Sequence, residues 1–254
     1  MVGVPIYART VRLKNNLRMN YFISVVIPAF NEEKYLPACL ESLQNQDYPK
    51  EFYEVIVVDH ESTDATAEVA KRFSAKVVVC HEKPIAAVRQ TGYESAKGDI
   101  FVGTDSDTTA PQDWLRAING IFQSRQEVVA LTGTARFDSK SLVNRAMAEY
   151  LFPIAMQTMF AFGKKALNGF NFAVRATTFK QVGGFNRTLI SAEDVDLGIR
   201  LAKVGQVVFE PALVVTTSPR RMEAGRGKFF MHHARNIVKF IILGQKPESF
   251  EDIR

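Results

Sequence analysis

The sequence predicts an α/β fold with a mainly parallel central sheet flanked by helices, and two observations carry that prediction. Short runs rich in β-branched residues alternate with longer segments whose apolar residues recur at helical spacing. Three of the short runs also stop abruptly at a proline or an aspartate, at Pro28, Asp59 and Asp105. Strand–helix alternation at this rhythm implies right-handed βαβ units. The three strand ends then converge on one edge of the sheet, where open α/β folds bind their ligands.

The elements follow in order. Residues 1–20 carry Arg9, Arg12, Lys14 and Arg18 with no acidic residue and little periodicity, and read as a basic extension. The run Tyr21 to Ile27 is a buried strand ending at Pro28-Ala29-Phe30-Asn31-Glu32-Glu33. Asn31 suits an N-cap for a helix whose Leu36, Leu40 and Leu43 share one face. A second strand, Tyr53 to Val58, stops at Asp59, and Ser62-Thr63-Asp64 caps a helix burying Val69 and Phe73. Lys76 to Cys80 is a third strand, followed by a helix opened by Pro84 and closed by Gly98. Ile100 to Val102 is the fourth, running into Asp105-Ser106-Asp107.

The second half is less regular. Helices are expected over Trp114 to Phe122, from about Leu142 with a break near Pro153, and from Ser191 to before Gly205. Strands are expected at Val128 to Thr132 and, as two short pieces, at Gln206 to Phe209 and Leu213 to Val215. No linker or repeat divides residues 21–225, which read as one domain. Residues 226–254 form a basic, amphipathic helix and tail.

Composition is that of a globular protein, with 46% hydrophobic and 23% charged residues and a mean hydropathy of −0.06. Cys39 and Cys80 both lie within apolar patterns and read as small core residues, which fits a reducing compartment. The apolar stretch Leu142 to Phe162 is interrupted by Asn144, Arg145, Glu149, Pro153 and Gln157, and Ile237 to Leu243 is too short to span a bilayer. With no secretory signal, a cytoplasmic location is expected. The net charge of +5 and pI near 9.2 suit nucleic acid, an anionic membrane surface or phosphorylated substrates, and charge alone does not choose among them.

Asp105 and Asp107 hold the most specific chemistry. Side chains at i and i+2 share a face while the backbone is extended, so both carboxylates aim at one point beyond the strand. Two hard oxygens there suit a Mg²⁺ or Mn²⁺ that keeps its other positions for water and phosphates. Taken alone, the pair is a weak motif and reads first as a polar strand-to-loop turn.

Five motifs in order lift it above that reading: Val26-Ile27-Pro28-Ala29-Phe30-Asn31-Glu32; Val57-Val58-Asp59 with Ser62-Thr63-Asp64; Asp105-Ser106-Asp107; Gly183-Gly184-Phe185; and Glu193-Asp194-Val195-Asp196-Leu197. Together, across about residues 21 to 221, they resemble the family 2 glycosyltransferases. That resemblance implies the GT-A fold, a Rossmann-like nucleotide-diphospho-sugar transferase. It makes residues 21–110 a nucleotide-binding half and 111–225 an acceptor and catalytic half. It implies a metal-dependent, inverting transfer from a nucleotide-sugar donor, a UDP-sugar first, to a glycan, lipid-linked or other hydroxyl acceptor. A polyprenyl-phosphate acceptor is the alternative, and the basic arm and tail would then allow peripheral contact with the inner face of a membrane.

By the same resemblance, Pro28, Ala29, Asn31 and Glu32 lie beside the nucleoside and Asp59 bonds the base. Asp105 approaches the ribose and donor sugar and contributes with Asp107 to a Mn²⁺ or Mg²⁺ site. Arg89 and Glu193 belong to the donor side, Arg220 and Arg221 reach the diphosphate, and Asp194 is the general base. Each has a plainer reading. Asp59 is also a strand-end cap, Arg89 a solvated helix face, Glu193-Asp194 first-turn acids, and Arg220-Arg221 an exposed basic turn. The chain departs from the family at His60 and Glu61, where an aspartate and a glycine are common, which bears on base identity. His232 and His233 point in different helical directions and read as packed or surface residues.

Two other enzyme or binding classes fit less well. A nucleotidyltransferase advertises a Gly-rich, cationic loop after its first strand, and here that loop has neither. A nucleic-acid-binding module has no need for Asp107 and Asp194 together.

Overall fold

The computed structural model describes residues 20–139, 141 and 145–220. The basic extension before residue 20, Arg221, His232, His233 and the tail lie outside the described residues.

The helices and strands alternate as the sequence implies. Strands β1 (Ile23–Ala29), β2 (Tyr53–Asp59), β3 (Lys76–Val79) and β4 (Ile100–Gly103) are separated by helices α1 (Leu36–Gln44), α2 (Thr66–Arg72) and α3 (Ile85–Glu94). Then come the two-residue β5 (Thr108–Thr109), α4 (Trp114–Ser124) and β6 (Val128–Phe137). A π-helical turn, Met147–Leu151, leads into α5 (Phe152–Ala161), with Pro153 in its first turn, where a missing N–H costs nothing. The chain continues through β7 (Phe172–Arg175), α6 (Ala176–Gln181), α7 (Glu193–Leu201) and β8 (Gln206–Thr217).

These strands form one eight-stranded sheet in the order β3-β2-β1-β4-β7-β6-β8-β5. The β3-β2-β1-β4 block is parallel, and β6 and β8 are parallel to each other. β7 lies antiparallel between the two groups, and β5 is antiparallel to β8. Helices cover both faces. α1, α2 and α4 bury Leu36, Leu40, Val69, Trp114 and Phe122 against the side of β1 that carries Ile23, Val25 and Ile27. On the opposite side, α3, α5, α6 and α7 bury Tyr93, Met156, Phe179 and Leu201 against Val26 and Val58.

Pro28 is tolerated inside central β1 because β4 stops pairing at Val26↔Gly103, so the side on which Pro28 lacks a donor is already past the ladder. Asn31 is not the N-cap of α1. It adopts a left-handed φ of 54°, which asparagine accepts more readily than most residues, and ties two loops together instead. The two short strands expected after Gln206 are one. Pro211 and its neighbours form an irregularity within β8, where Thr132↔Phe209 is followed by Thr134↔Val214. The bulge absorbs the proline's missing donor without ending the strand.

A buried amide fastens the second half. Asn171, with no exposed surface, accepts from Trp114 Nε1 at 3.1 Å and donates to the carbonyls of Thr134 and Leu213, each at 2.9 Å. Asn171→Ala leaves those three groups buried and unsatisfied, so we expect a loss of about 3 kcal/mol or more, read from the urea midpoint. A midpoint unchanged at constant slope would remove Asn171 from this role. Among the described residues, no helix is long and apolar enough to cross a membrane.

Candidate active site

The carboxyl ends of β1, β2 and β4 are adjacent in the sheet, and the loops leaving them are cross-tied. Asn31 N–H donates to Ser62 Oγ at 2.9 Å, and Asn31 Oδ1 accepts from Thr63 N–H at 2.8 Å. Glu32 N–H donates to Thr66 Oγ1 at 2.7 Å, and Glu33 N–H to Asp64 Oδ2 at 3.1 Å. Pro28 and Ala29 are buried backbone of β1, while Asp59 is buried at the end of β2 and accepts from Ser62 N–H at 3.4 Å. At the departures from the common pattern, Glu61 takes a left-handed φ of 56°, the conformation a glycine serves without cost. His60 Nδ1 lies 2.9 Å from the Cys80 carbonyl; a carbonyl only accepts, so Nδ1 is the donor of that hydrogen bond.

Beyond β4, β5 pairs with the end of β8, and this pins Asp107. Its backbone carbonyl accepts from Ser218 N–H at 3.2 Å, and its Oδ1 accepts from Thr217 Oγ1 at 3.5 Å. Its Oδ2 meets Arg220 Nε at 2.8 Å. The same guanidinium bonds both oxygens of buried Glu32, at 3.0 and 2.5 Å, and stacks over Tyr35 with 4.5 Å to the ring centroid. Burial alone would lower the proton affinity of Arg220, but Glu32 and Asp107 outweigh it and raise it. Glu32, Asp107 and Arg220, 188 residues apart at the extremes, are thus one cluster.

A second cluster starts at Asp105. Arg89 is 4% exposed, so it is no solvated helix face. Its Nη2 donates to Asp105 Oδ1 at 2.7 Å, its Nη1 to the Gly169 carbonyl at 3.1 Å, and its Nε lies 3.3 Å from Glu193 Oε1. Burial opposes its charge, but Asp105 and Glu193 prevail and its proton affinity rises.

Asp194 stands next in α7, following Ala192, whose left-handed φ of 56° sets the helix start at a cost of about 1 kcal/mol. Its Oδ2 accepts from Gly169 N–H at 2.7 Å and its Oδ1 from Val195 N–H at 2.8 Å. Desolvation and then the charge of Glu193 push Asp194 up to about 7, against Arg89 and the two N–H donors. Asp196 is paired with Arg200 at 2.6 Å and is structural.

The two clusters meet at the Asp105-Ser106-Asp107 turn. Their combined field is negative: burial first, then Asp107, Asp105 and Glu32, push the Cys39 thiol far up, so Cys39 is a neutral core group. Among the described residues, no three His, Cys, Asp or Glu side chains gather to hold a metal by themselves. The hard oxygens of Asp105 and Asp107 nevertheless fit a divalent ion that completes its shell with water and phosphate oxygens, and each already faces a cation, Arg89 or Arg220.

The structure therefore brings together Glu32, Arg89, Asp105, Asp107, Glu193, Asp194 and Arg220, with Asp59 and Asn31 at the neighbouring strand ends. Sequence reasoning missed Gly169, Tyr35 and Thr217. Gly183 and Gly184 were legible: both have positive φ, and a Cβ on Gly184 would lie 2.3 Å from Gln90 Oε1, which accepts from Phe185 N–H at 2.8 Å.

Comparisons with known proteins bear on the family and the fold. The model of the family described as glycosyl transferase family 2 matches residues 24–183, more than half of the chain. The chain is similar to glycosyltransferase AglE of Haloferax volcanii, at 31% identity over 199 residues, 72% of this chain and 62% of that one. It is similar to a dolichyl N-acetyl-alpha-D-glucosaminyl phosphate 3-beta-D-2,3-diacetamido-2,3-dideoxy-beta-D-glucuronosyltransferase of Methanococcus voltae, at 27% identity over 212 residues, 77% of this chain and 66% of that one. It thus spans less than two thirds of either relative. Among solved structures it resembles the mannosyltransferase PcManGT of Pyrobaculum calidifontis in complex with GDP-Man and Mn²⁺. The TM-score is 0.68 at 20% identity, covering 91% of this chain and 67% of that one. It also resembles S. aureus TarS 1–349 with UDP-GlcNAc, with a TM-score of 0.61 at 22% identity over 77% of this chain and 58% of that one.

Proposed function

Because this chain belongs to glycosyl transferase family 2 and has the GT-A fold, we propose that it transfers a sugar from a nucleoside-diphosphate donor to a hydroxyl acceptor, with a divalent metal and with inversion. The observation that carries this reading is Asp194, a half-buried carboxylate pushed up to about 7 and joined to Asp105 through two residues, Gly169 and Arg89. A group titrating near neutrality in such a place suits a general base. Asp194 takes the acceptor hydroxyl's proton as that oxygen bonds to the anomeric carbon. The bond from that carbon to the diphosphate oxygen breaks on the opposite face, and the nucleoside diphosphate leaves with the electron pair.

On the donor side, Pro28, Ala29, Asn31 and Glu32 frame the nucleoside and Asp59 accepts from the base. A Mn²⁺ or Mg²⁺ held by Asp105 and Asp107 would neutralise charge on the diphosphate. Incubation with Mn²⁺ and UDP-glucose, UDP-GlcNAc or GDP-mannose tests the reading. We expect one donor to release its nucleoside diphosphate, with UDP-sugars first, and the new linkage to have inverted configuration by NMR. Release of nucleoside monophosphate, or retained configuration, would contradict it.

Arg220 now holds Glu32 and Asp107 at once. We propose that its guanidinium turns to the diphosphate when donor binds. Arg220→Ala is then expected to weaken binding of the nucleoside diphosphate about tenfold or more while tightening Mn²⁺ alone, because Asp107 loses a competing cation. Calorimetry showing both affinities moving in the same direction would reject that role.

A polyprenyl-phosphate acceptor is the second reading, and one observation favours it. Leu151, Ile154 and Phe162, on and beside α5, are 60%, 59% and 79% exposed. Phe152 of the same helix packs on Phe170, beside Gly169. An apolar face bordering the site suits a lipid chain at an anionic membrane surface. In this reading, polyprenyl phosphate outcompetes water-soluble hydroxyl acceptors.

A further inference from the structure

Gly169 bridges the base Asp194 and the buried Arg89. Its N–H donates to Asp194 Oδ2 at 2.7 Å, and its carbonyl accepts from Arg89 Nη1 at 3.1 Å. Arg89 spends its other end on Asp105 Oδ1, 2.7 Å away. The chain of contacts thus runs from the base, through one glycine residue and one guanidinium, to the carboxylate that begins the Asp-x-Asp turn. There is no room beside it. A Cβ added to Gly169 would lie 2.8 Å from Arg89 Nη2, 3.3 Å from its Cζ and 3.3 Å from Asp194 Oδ2. The backbone of Gly169 is outside the left-handed region, so the missing side chain answers to this crowding and not to the turn.

Arg89 is also poorly placed to hold a donor itself. It is 4% exposed, and both terminal nitrogens already have partners within the protein. Its Nε, although 3.3 Å from Glu193 Oε1, makes no well-directed hydrogen bond and is buried. It therefore acts as a strut beneath the site, shared among Asp105, Gly169 and Glu193.

We propose that Gly169 and Arg89 form a positioning unit, fixing the distance and angle between the base Asp194 and the donor-side carboxylate Asp105. The proposal rests on the reading of Asp194 as the base. Transfer needs the acceptor oxygen and the anomeric carbon aligned within a fraction of an ångström, and a small misplacement of the base costs rate with little effect on donor affinity. Arg89 and Gly169 are positioning residues by this account: they act through Asp105 and Asp194.

Gly169→Ala is the cleanest probe. The alanine is compatible with the backbone, and the added methyl forces the guanidinium and the carboxylate apart by a few tenths of an ångström. We expect kcat to fall about tenfold or more, while UDP or GDP, titrated with Mn²⁺ by calorimetry, binds within about threefold of wild type. Arg89→Lys is the second variant: it keeps the charge but offers a single ammonium in place of a fork, and should show the same split. Arg89→Met is avoided because it strands Asp105 and Glu193. A parallel loss of nucleotide affinity and kcat would overturn the proposal by making Arg89 a direct donor contact. An unchanged kcat in Gly169→Ala would overturn it too. Asp194→Asn, measured alongside with a hydroxyl acceptor, separates the two levels: turnover retained in that variant undoes the base assignment itself. Loss there with a normal Gly169→Ala undoes only the coupling.

Discussion

Asp194→Asn is expected to lower kcat for a hydroxyl acceptor by about 10³-fold while leaving nucleotide binding intact, because it removes the proton acceptor and little else. Asparagine is close in shape, and its carbonyl still accepts one of the two N–H bonds, from Gly169 or from Val195. The pH profile supplies an independent sign. Desolvation and Glu193 raise Asp194 to about 7, so the carboxylate is protonated and useless as a base below that pH. In wild type, kcat/KM should therefore fall about tenfold per unit as pH drops below 7 and level off above it. The residual activity of Asp194→Asn should lack that acid limb. A limb persisting in the variant would assign it to another group. The same variant discriminates acceptors. A polyprenyl phosphate is already largely deprotonated at neutral pH and needs no base, so near-normal turnover of Asp194→Asn with that acceptor alone would favour the lipid-phosphate reading.

Asp107→Ala should abolish metal-dependent nucleotide binding. Nucleoside diphosphate with Mn²⁺ at a hundredfold excess over its Kd stabilises the wild type by about 2.7 kcal/mol, and in the variant that increment should vanish. The fold should survive, because Glu32 still pairs with Arg220 through both oxygens and the β5–β8 pairing does not depend on the Asp107 side chain. A thermal shift with Mn²⁺ and nucleotide that persists in Asp107→Ala would remove Asp107 from the metal site.

The parallel half of the fold was legible because it depends on local information. The runs of β1 and β4 are buried on both faces, and turn-forming residues follow close behind them. The strand ends at Ala29, Asp59 and Gly103 lie together as expected. The Glu193-Asp194 pair opening α7 and the positive φ of Gly183 and Gly184 were equally local. What was hidden depends on distance along the chain. β5 is two residues long and exists only because Thr108 and Thr109 meet Thr217 and Thr216. β8 read as two strands because Pro211 hides a bulge that only β6 reveals. Arg89 read as a donor-side residue or, more plainly, as a solvated helix face, and nothing near it signals burial among Asp105, Glu193 and Gly169, the last 80 residues away. Asn31 carried a cap signature, yet its side chain is used by Thr63 in the neighbouring loop.

The central claim is a metal-dependent nucleotide site at the Asp105-Ser106-Asp107 turn, and thermal unfolding with UDP, GDP, dTDP, ADP and CDP, each with and without Mn²⁺, tests it most directly. A ligand that binds only the native state raises the midpoint by mass action. The account predicts that one nucleoside diphosphate, UDP first, raises the midpoint with Mn²⁺ and not without it. Equal shifts with and without metal, or no shift from any of the five, would contradict it.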